Sequence, residues 1–414
     1  MPARTGNSGP LTESGRIETL DVLRGFALYG ILIMNIKAFA MVSTAYINPK
    51  VQGPPTGADF WVWLIGHVLV AEKFITIFTL LFGAGVILMT SRADAAGTPS
   101  VPLHLKRMAW LGLIGLAHAY LIWYGDILFA YAVCGLIVVW ARNWPVKRLL
   151  GVALVLFAVP TVVAIVMTLG IAQLPPEGLR EVEREAWRPD PTRIAAEIAA
   201  YRGGWLMQMS ARVPEALGGH TWVFPTETLW RTLALMLAGM AAFKSGLITG
   251  DWSDRAYKRL AAIGFLIGLP VVLLGIYLNY AYGWQVTFSL YLGRLFNYWA
   301  SPLVALGWIS LAILLVRHGA TWFARVTVPV GRTAFSNYLL QSIICTFIFY
   351  GHGLGLFARL GRTEQLAVVA LVWVVMPVWS ALWLQRFRFG PAEWLWRSLT
   401  YGRAQPFLRD RATA

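Results

Sequence analysis

The chain has 414 residues, 57% hydrophobic and 13% charged, with 20 Trp and a mean hydropathy of +0.60. That balance excludes an ordinary soluble domain and a disordered chain, and it predicts a polytopic membrane protein. A formal net charge of +15 raises nucleic acid as a partner, but no nucleic-acid motif accompanies it, and the Lys and Arg residues alternate between loops as membrane topology requires.

Residues 1–15 lack the apolar core and small-residue cleavage site of a signal peptide. They read as a disordered cytoplasmic tail, with the first span acting as its own insertion signal. Apolar stretches long enough to cross a bilayer recur ten times: about 20–41, 68–90, 107–124, 127–141, 148–170, 228–248, 259–281, 287–315, 327–350 and 365–386. The second is preceded by an apolar, aromatic run from Phe60, so a short interfacial helix leading into it is an equal reading. Arg92, Lys106 and Arg107 follow span two, Arg142, Lys147 and Arg148 follow span four, and Lys244, Arg255, Lys258 and Arg259 follow span six. Positive loops mark the cytoplasm, so both termini are expected there, which ten spans satisfy. The transmembrane domain is set at 16–390. Its one long hydrophilic segment, 171–227, is expected to be an extracytoplasmic cap with short amphipathic helices. The last part, 391–414, holds PAEWLWRSLTYG, with Pro391 at a first helical turn and Gly402 after the last, and suits a helix on the cytoplasmic interface.

Cys134 and Cys345 lie in apolar runs without a CxxC or a His partner, so neither a disulfide framework nor a metal site is implied. Ionisable residues within the spans carry more information, because an unpaired charge in hydrocarbon costs several kcal/mol. Asp21 and Arg24 are three residues apart at the mouth of span one, and Asn35 shares their face about three turns on. Arg332, Ser336 and Asn337 lie on the same inner side, on span nine. The outer half holds His67, Glu72, His118, Arg294 and Asn297, with Asp126 in the turn after span three. An imidazole oriented by a carboxylate is the usual general base, so His118 with Asp126 or Glu72 is a candidate catalytic group. A His that only satisfies a backbone carbonyl between helices is the structural alternative. His67 competes with His118 on equal terms. Arg294 and Asn297 share a face on span eight, where the Arg needs Glu72, Asp126 or a ligand anion as partner.

Five blocks, RIETLDVLRGFALYGILIMN, EKFITIFTLLFGAG, GLAHAYLIWYGDILFAYAVCG, GRTAFSNYLLQS and FGPAEWLWRSLTYG, resemble the YeiB-like family of bacterial inner-membrane proteins, in the family's order and over nearly the whole chain. LDVLRGFAL followed by Asn35 also resembles the first-helix signature of the transmembrane acyltransferase superfamily. That resemblance implies an acyl-CoA donor entering from the cytoplasm, an extracytoplasmic acceptor and a catalytic His. Asp21, Arg24 and Asn35 match the first-helix motif. The His has two candidates, since His67 occupies roughly the superfamily's region with different spacing while His118 belongs to a YeiB-like block.

The charge layering agrees with this expectation, because CoA phosphates suit Arg24 and Arg332 on the inner side, with Asn337 beside them. A hydroxyl or amine acceptor needs a base on the outer side, and Arg294 and Asn297 are candidates to bind it. The expectation is an all-α, ten-span protein of the bacterial inner membrane that moves an acyl group from acyl-CoA, such as acetyl-CoA, to an acceptor whose identity stays open. No tightly bound cofactor and no metal are expected, the bilayer is the main partner, and self-association as a homo-oligomer is compatible. The alternative is a transporter or exporter of a small anionic or amphipathic solute, with Pro160 and Pro270 as candidate helix breaks.

Overall fold

A computed structural model describes residues 17–409; the tail expected at 1–15 lies outside the described residues, as do residues 410–414. The described chain is helical, with no β-structure beyond one bridge between Phe387 and Leu408. In order, the helices are α1 (Glu18–Ala40), α2 (Gly57–Ile65), α3 (Lys73–Ala95), α4 (Ser100–Ala117), α5 (Leu128–Val138), α6 (Val146–Ala172), α7 (Pro176–Val182), α8 (Pro191–Arg202), α9 (Trp205–Gly218), α10 (Leu229–Lys244), α11 (Asp254–Ala281), α12 (Val286–Ser289), α13 (Leu292–Arg317), α14 (Thr321–Arg332), α15 (Ala334–Phe349), α16 (Arg362–Arg386) and α17 (Pro391–Tyr401).

Among the described residues, six segments are long and apolar enough to cross a membrane: Glu18–Ala40, Gly57–Ala95, Val146–Ala172, Asp254–Ala281, Val286–Arg317 and Arg362–Arg386. The other four apolar segments of the sequence correspond to α4, α5, α10 and α15. Helix α4 carries His104, Lys106 and Arg107 near its start, and α5, α10 and α15 have 11, 16 and 16 residues. At about 1.5 Å per residue, a helix of that length falls short of a hydrocarbon core of about 30 Å.

Close backbone crossings hold the bundle together. A Cβ on Gly83 of α3 would overlap the Met236 backbone of α10, and one on Gly239 of α10 would overlap Leu80 of α3. Gly25 of α1 and Gly331 of α14 form a second reciprocal pair, against the backbones of Thr327 and Asp21. Without a hydrophobic drive between helices in lipid, such contacts and interhelical hydrogen bonds supply the packing energy.

Helices α6 and α11 run unbroken through Pro160 and Pro270. The interruptions lie elsewhere. Between a π-helical turn at Gly66–Val70 and α3, Glu72 takes φ 70°, a left-handed conformation uncommon for a side chain of its size. The second break is Thr333, between α14 and α15. There Asn337 donates to Thr333 O at 3.1 Å, to Thr333 Oγ1 at 2.8 Å and to Ser380 Oγ at 2.8 Å.

Helices α7 to α9, with π-helical turns at Glu183–Trp187 and Gly219–Thr228, make up the hydrophilic segment. It docks through specific bonds. Asn48 donates to Trp187 O at 2.8 Å, the buried Trp187 indole donates to Trp284 O at 2.8 Å, and Arg202 donates to Phe357 O at 2.8 Å. The Ser43 amide donates to Glu197 of α8 at 2.7 Å. Burial pushes the Glu197 carboxyl from 4.5 up to about 7, against the pull of the Ser43 amide and with a further push from Glu215. The docked cap therefore holds a proton that the undocked segment releases. Its stability contribution is full below about pH 4.5 and is lost as pH rises through about 7. Glu197→Gln keeps an acceptor for Ser43 without the charge, so the thermal midpoint of detergent-purified protein should fall less between acidic and alkaline pH in the variant than in the wild type. Equal falls in both proteins would rule out Glu197 as the titrating group.

Candidate functional site

A cavity of about 350 Å³ is bounded by α1, α3, α4, α5, α14, α15 and α17. Five arginines line it, from five different helices: Arg24, Arg92, Arg107, Arg332 and Arg397. Along α3 the lining runs from Ala96, exposed at the basic end, back to Phe78, roughly 27 Å of helix at 1.5 Å per residue. Beyond the arginines the walls are apolar, with Phe82, Val86, Met108 and Leu111 leading to Leu128, Tyr131 and Tyr338. The space is thus amphipathic: cationic where it opens and apolar where it ends.

The basic end is built by residues from distant parts of the chain. Arg24 pairs with Asp21 at 3.1 Å. Helix α17 folds back against α4, where the Trp396 indole donates to Arg107 O at 2.8 Å and the Arg107 guanidinium lies 3.9 Å over the Trp396 ring. The amphipathic helix read as interfacial therefore turns Trp396 toward the protein, while Leu395 stays exposed. Glu393 of the same helix accepts from the Phe335 amide at 2.7 Å, from the Ser336 amide at 3.2 Å and from the Ser336 hydroxyl. It caps the free amides at the start of α15, although burial holds its carboxyl above the ordinary range.

At the apolar end, Tyr338 separates the cavity from His118. The two rings lie 5.2 Å apart, and the Tyr338 hydroxyl accepts from the Ile127 amide at 3.3 Å. His118 opens a π-helical turn, His118–Ile122, at the end of α4, and such turns recur at functional sites. Its Nδ1 lies 2.9 Å from Asp126 Oδ1, and its Nε2 lies 2.9 Å from Ser342 Oγ. Asp126 also accepts from the Phe129 amide at 2.8 Å, at the start of α5. A carboxylate accepting two bonds sets the proton on Nδ1 and leaves the Nε2 lone pair facing Ser342. All three side chains are buried.

The cap end of the bundle holds a separate polar network. Arg231 pairs with Glu72 at 3.2 Å and also donates to Ser301 at 3.1 Å. Arg294 pairs with Glu227 at 3.2 Å. Lys73, fully buried, donates to His67 O at 2.8 Å and to Asn297 Oδ1. The space beside this network is only about 40 Å³, room for little more than a water molecule.

Of the sequence candidates, the structure joins His118 with Asp126, and Arg24 with Arg332 and, through its ion pair, Asp21. Glu72 and His67 belong instead to the Arg231–Lys73 network. The anion that Arg294 requires is Glu227, rather than Glu72 or Asp126. Asn297 serves Lys73. Asn337 braces the break at Thr333, and Asn35 is buried on α1 outside the cavity lining. Sequence reading missed Ser342, Tyr338, Glu227, Arg231 and Lys73, and it used Arg92 and Arg107 only for topology. Ser342 had a signal, because it continues the stripe of Ala334 and Tyr338 at a spacing of four. Among the described residues no group of three His, Cys, Asp or Glu is arranged to hold a metal.

The fold and the cavity define a polytopic helical membrane protein with an amphipathic interior site. Within that class, residues 242–403 match a family model described as a protein of unknown function, DUF418. The chain is 36% identical over 398 residues to the uncharacterized protein YeiB of Escherichia coli (strain K12), covering 94% of this chain and 97% of the relative. It is 31% identical over 423 residues to the uncharacterized protein YxaH of Bacillus subtilis (strain 168), covering 97% and 98%. The chain belongs to the YeiB family.

Removing Glu393 tests how the cavity is closed. Glu393→Ala leaves the first amides of α15 without their buried acceptor, which costs about 1–3 kcal/mol, and should loosen α17. Hydrogen exchange over 391–401 should rise, with a lower thermal midpoint. Unchanged protection there would show that α17 docks without this carboxylate.

Proposed function

We propose that this protein is a membrane-embedded acyltransferase related to the transmembrane acyltransferase superfamily, moving an acyl group from a cytoplasmic acyl-CoA to a hydroxyl or amine acceptor on the far side. The observation that carries the reading is the cavity with five arginines at its open end and His118 behind Tyr338 at its apolar end. An acyl-CoA matches that gradient. Its phosphates suit guanidinium groups, and its acyl-pantetheine arm suits the aliphatic and aromatic walls. His118, held by Asp126, then serves as general base at the end of the arm.

The reading includes a topology of ten crossings with both termini on the cytoplasmic side of a bacterial inner membrane. The positive loops support it, and so does the grouping of Arg24, Arg92, Arg107, Arg332 and Arg397 at one end of the bundle. The shorter helices α5, α10 and α15 then cross within the bundle, flanked by longer ones.

A second reading, export of a small anionic or amphipathic solute, draws on the interruptions at Glu72 and Thr333, each beside charged side chains. Interrupted helices are common around transporter binding sites.

The test is acetyl-CoA binding and turnover by detergent-purified protein. Acetyl-CoA should bind the wild type and release CoA thiol, and Arg24→Ala should weaken binding roughly tenfold or more, the equivalent of one lost charge-assisted hydrogen bond. Binding without any thioester cleavage would favour export. No binding of acetyl-CoA or a longer acyl-CoA would remove the acyltransferase reading.

A further inference from the structure

Ser342, His118 and Asp126 form a connected series in which each member fixes the next. Asp126 is oriented by the Phe129 amide and holds His118 through Nδ1. The remaining nitrogen, Nε2, is 2.9 Å from Ser342 Oγ. The competing acceptor for the Ser342 hydroxyl, Tyr338 O, is farther away at 3.4 Å. With Nδ1 protonated, Nε2 can only accept, so the hydroxyl donates to His118. This is the arrangement that turns a weak hydroxyl into a nucleophile.

The group lies behind Tyr338, the residue of α15 that closes the apolar end of the cavity. Helix α15 contributes Ala334, Phe335 and Tyr338 to the lining, and Ser342 follows one turn beyond Tyr338 on the same stripe. Trp123, whose ring lies 6.3 Å from the His118 ring and stacks 4.0 Å from Phe39, is buried, and its indole N–H has no acceptor among the described residues. A buried donor without a partner costs free energy, and with its ring this near His118 the Trp123 N–H is the donor we assign to charge that develops only during reaction.

We propose that Ser342 is a covalent nucleophile and that the transfer passes through an O-acyl-Ser342 intermediate. This rests on the acyl-CoA reading above. In the first half, His118 Nε2 takes the Ser342 proton as Oγ bonds to the thioester carbonyl carbon; the carbon–sulfur bond then breaks, and CoA leaves as the thiol with the proton from His118. In the second half, the acceptor hydroxyl or amine gives its proton to His118 and bonds to the ester carbonyl carbon. The bond to Ser342 Oγ breaks, and His118 returns the proton to Ser342. No redox change occurs, and acyl-CoA and acceptor are the only reactants. The covalent step parts the two substrates in time. The donor can leave toward the arginines before the acceptor arrives from the cap side, so no opening through the whole bundle is needed.

The experiment uses full-length protein in detergent, incubated with acetyl-CoA in the absence of acceptor and read by peptide mass spectrometry and by thiol release. The expected result is one acetyl group on Ser342 and one CoA released per chain. Ser342→Ala should lose both while still binding acetyl-CoA, and Ser342→Cys, which keeps a nucleophile, should form the thioester adduct. Trp123→Phe should slow acylation by roughly 100-fold, as loss of one oxyanion donor does. A serine-directed fluorophosphonate probe, which needs no CoA site, should label the wild type at Ser342.

If wild type binds acetyl-CoA, and Ser342→Ala releases CoA at the wild-type rate with no acetyl on residue 342 of the wild type, the covalent step is overturned while acyl transfer stands. Absence of acetyl-CoA binding together with fluorophosphonate labelling at Ser342 overturns the donor and keeps the activated serine. Absence of binding, adduct and probe labelling in well-folded wild type overturns both.

Discussion

Charge inside a hydrocarbon layer has to be neutralised by neighbours, and the placement of every helix in this bundle answers to that requirement. Arg231 meets Glu72, Arg294 meets Glu227, and Lys73 is satisfied by a backbone carbonyl and Asn297. These contacts tie α3, α10 and α13 and the segment before α10 into one unit at the cap end. Breaking a buried pair by removing one partner typically costs 3–5 kcal/mol, because the remaining charge is stranded. The left-handed Glu72 fits the same logic: its backbone conformation is unfavourable, and its carboxylate and carbonyl both engage Arg231.

At the opposite end five arginines gather around one cavity. The arginines of the large cavity sit where it opens, and Arg24 is a quarter exposed while its partner Asp21 is nearly buried. One end of the molecule is therefore tied by ion pairs between helices, and the other presents a cationic mouth. Between them lies His118, behind Tyr338 as seen from the mouth and covered on the far side by α9, whose Arg212 and Trp205 both donate to Leu121 O within the π-helical turn.

How much of this was legible depended on range. Asp21 and Arg24 are three residues apart on one helix, and His118 and Asp126 are joined by a short turn, so local spacing revealed both pairs. The apolar segments and the final helix at Pro391 were visible for the same reason. Long-range partners were not. Ser342 meets His118 across 224 positions of sequence, and Arg231 meets Glu72 across 159, distances over which periodicity says nothing. The prolines misled, since Pro160 and Pro270 lie in continuous helices while the interruptions fall at Glu72 and Thr333, where side chains rather than ring constraints satisfy the freed backbone groups. Asn337 and Asn297 looked like ligand groups because they are polar and intramembrane; the Asn337 amide NH2 donates at the backbone break, and Asn297 accepts from Lys73.

The roof of the cavity comes from α17, which seals the start of α15 through Glu393 and covers Arg107 through Trp396. Synthesis proceeds from the amino terminus, so these residues are made after those of the walls. A nascent chain thus carries the wall residues of α1, α3, α4, α5, α14 and α15 before those of the lid. The compartment is complete only when α17 has folded back onto α4 and α15.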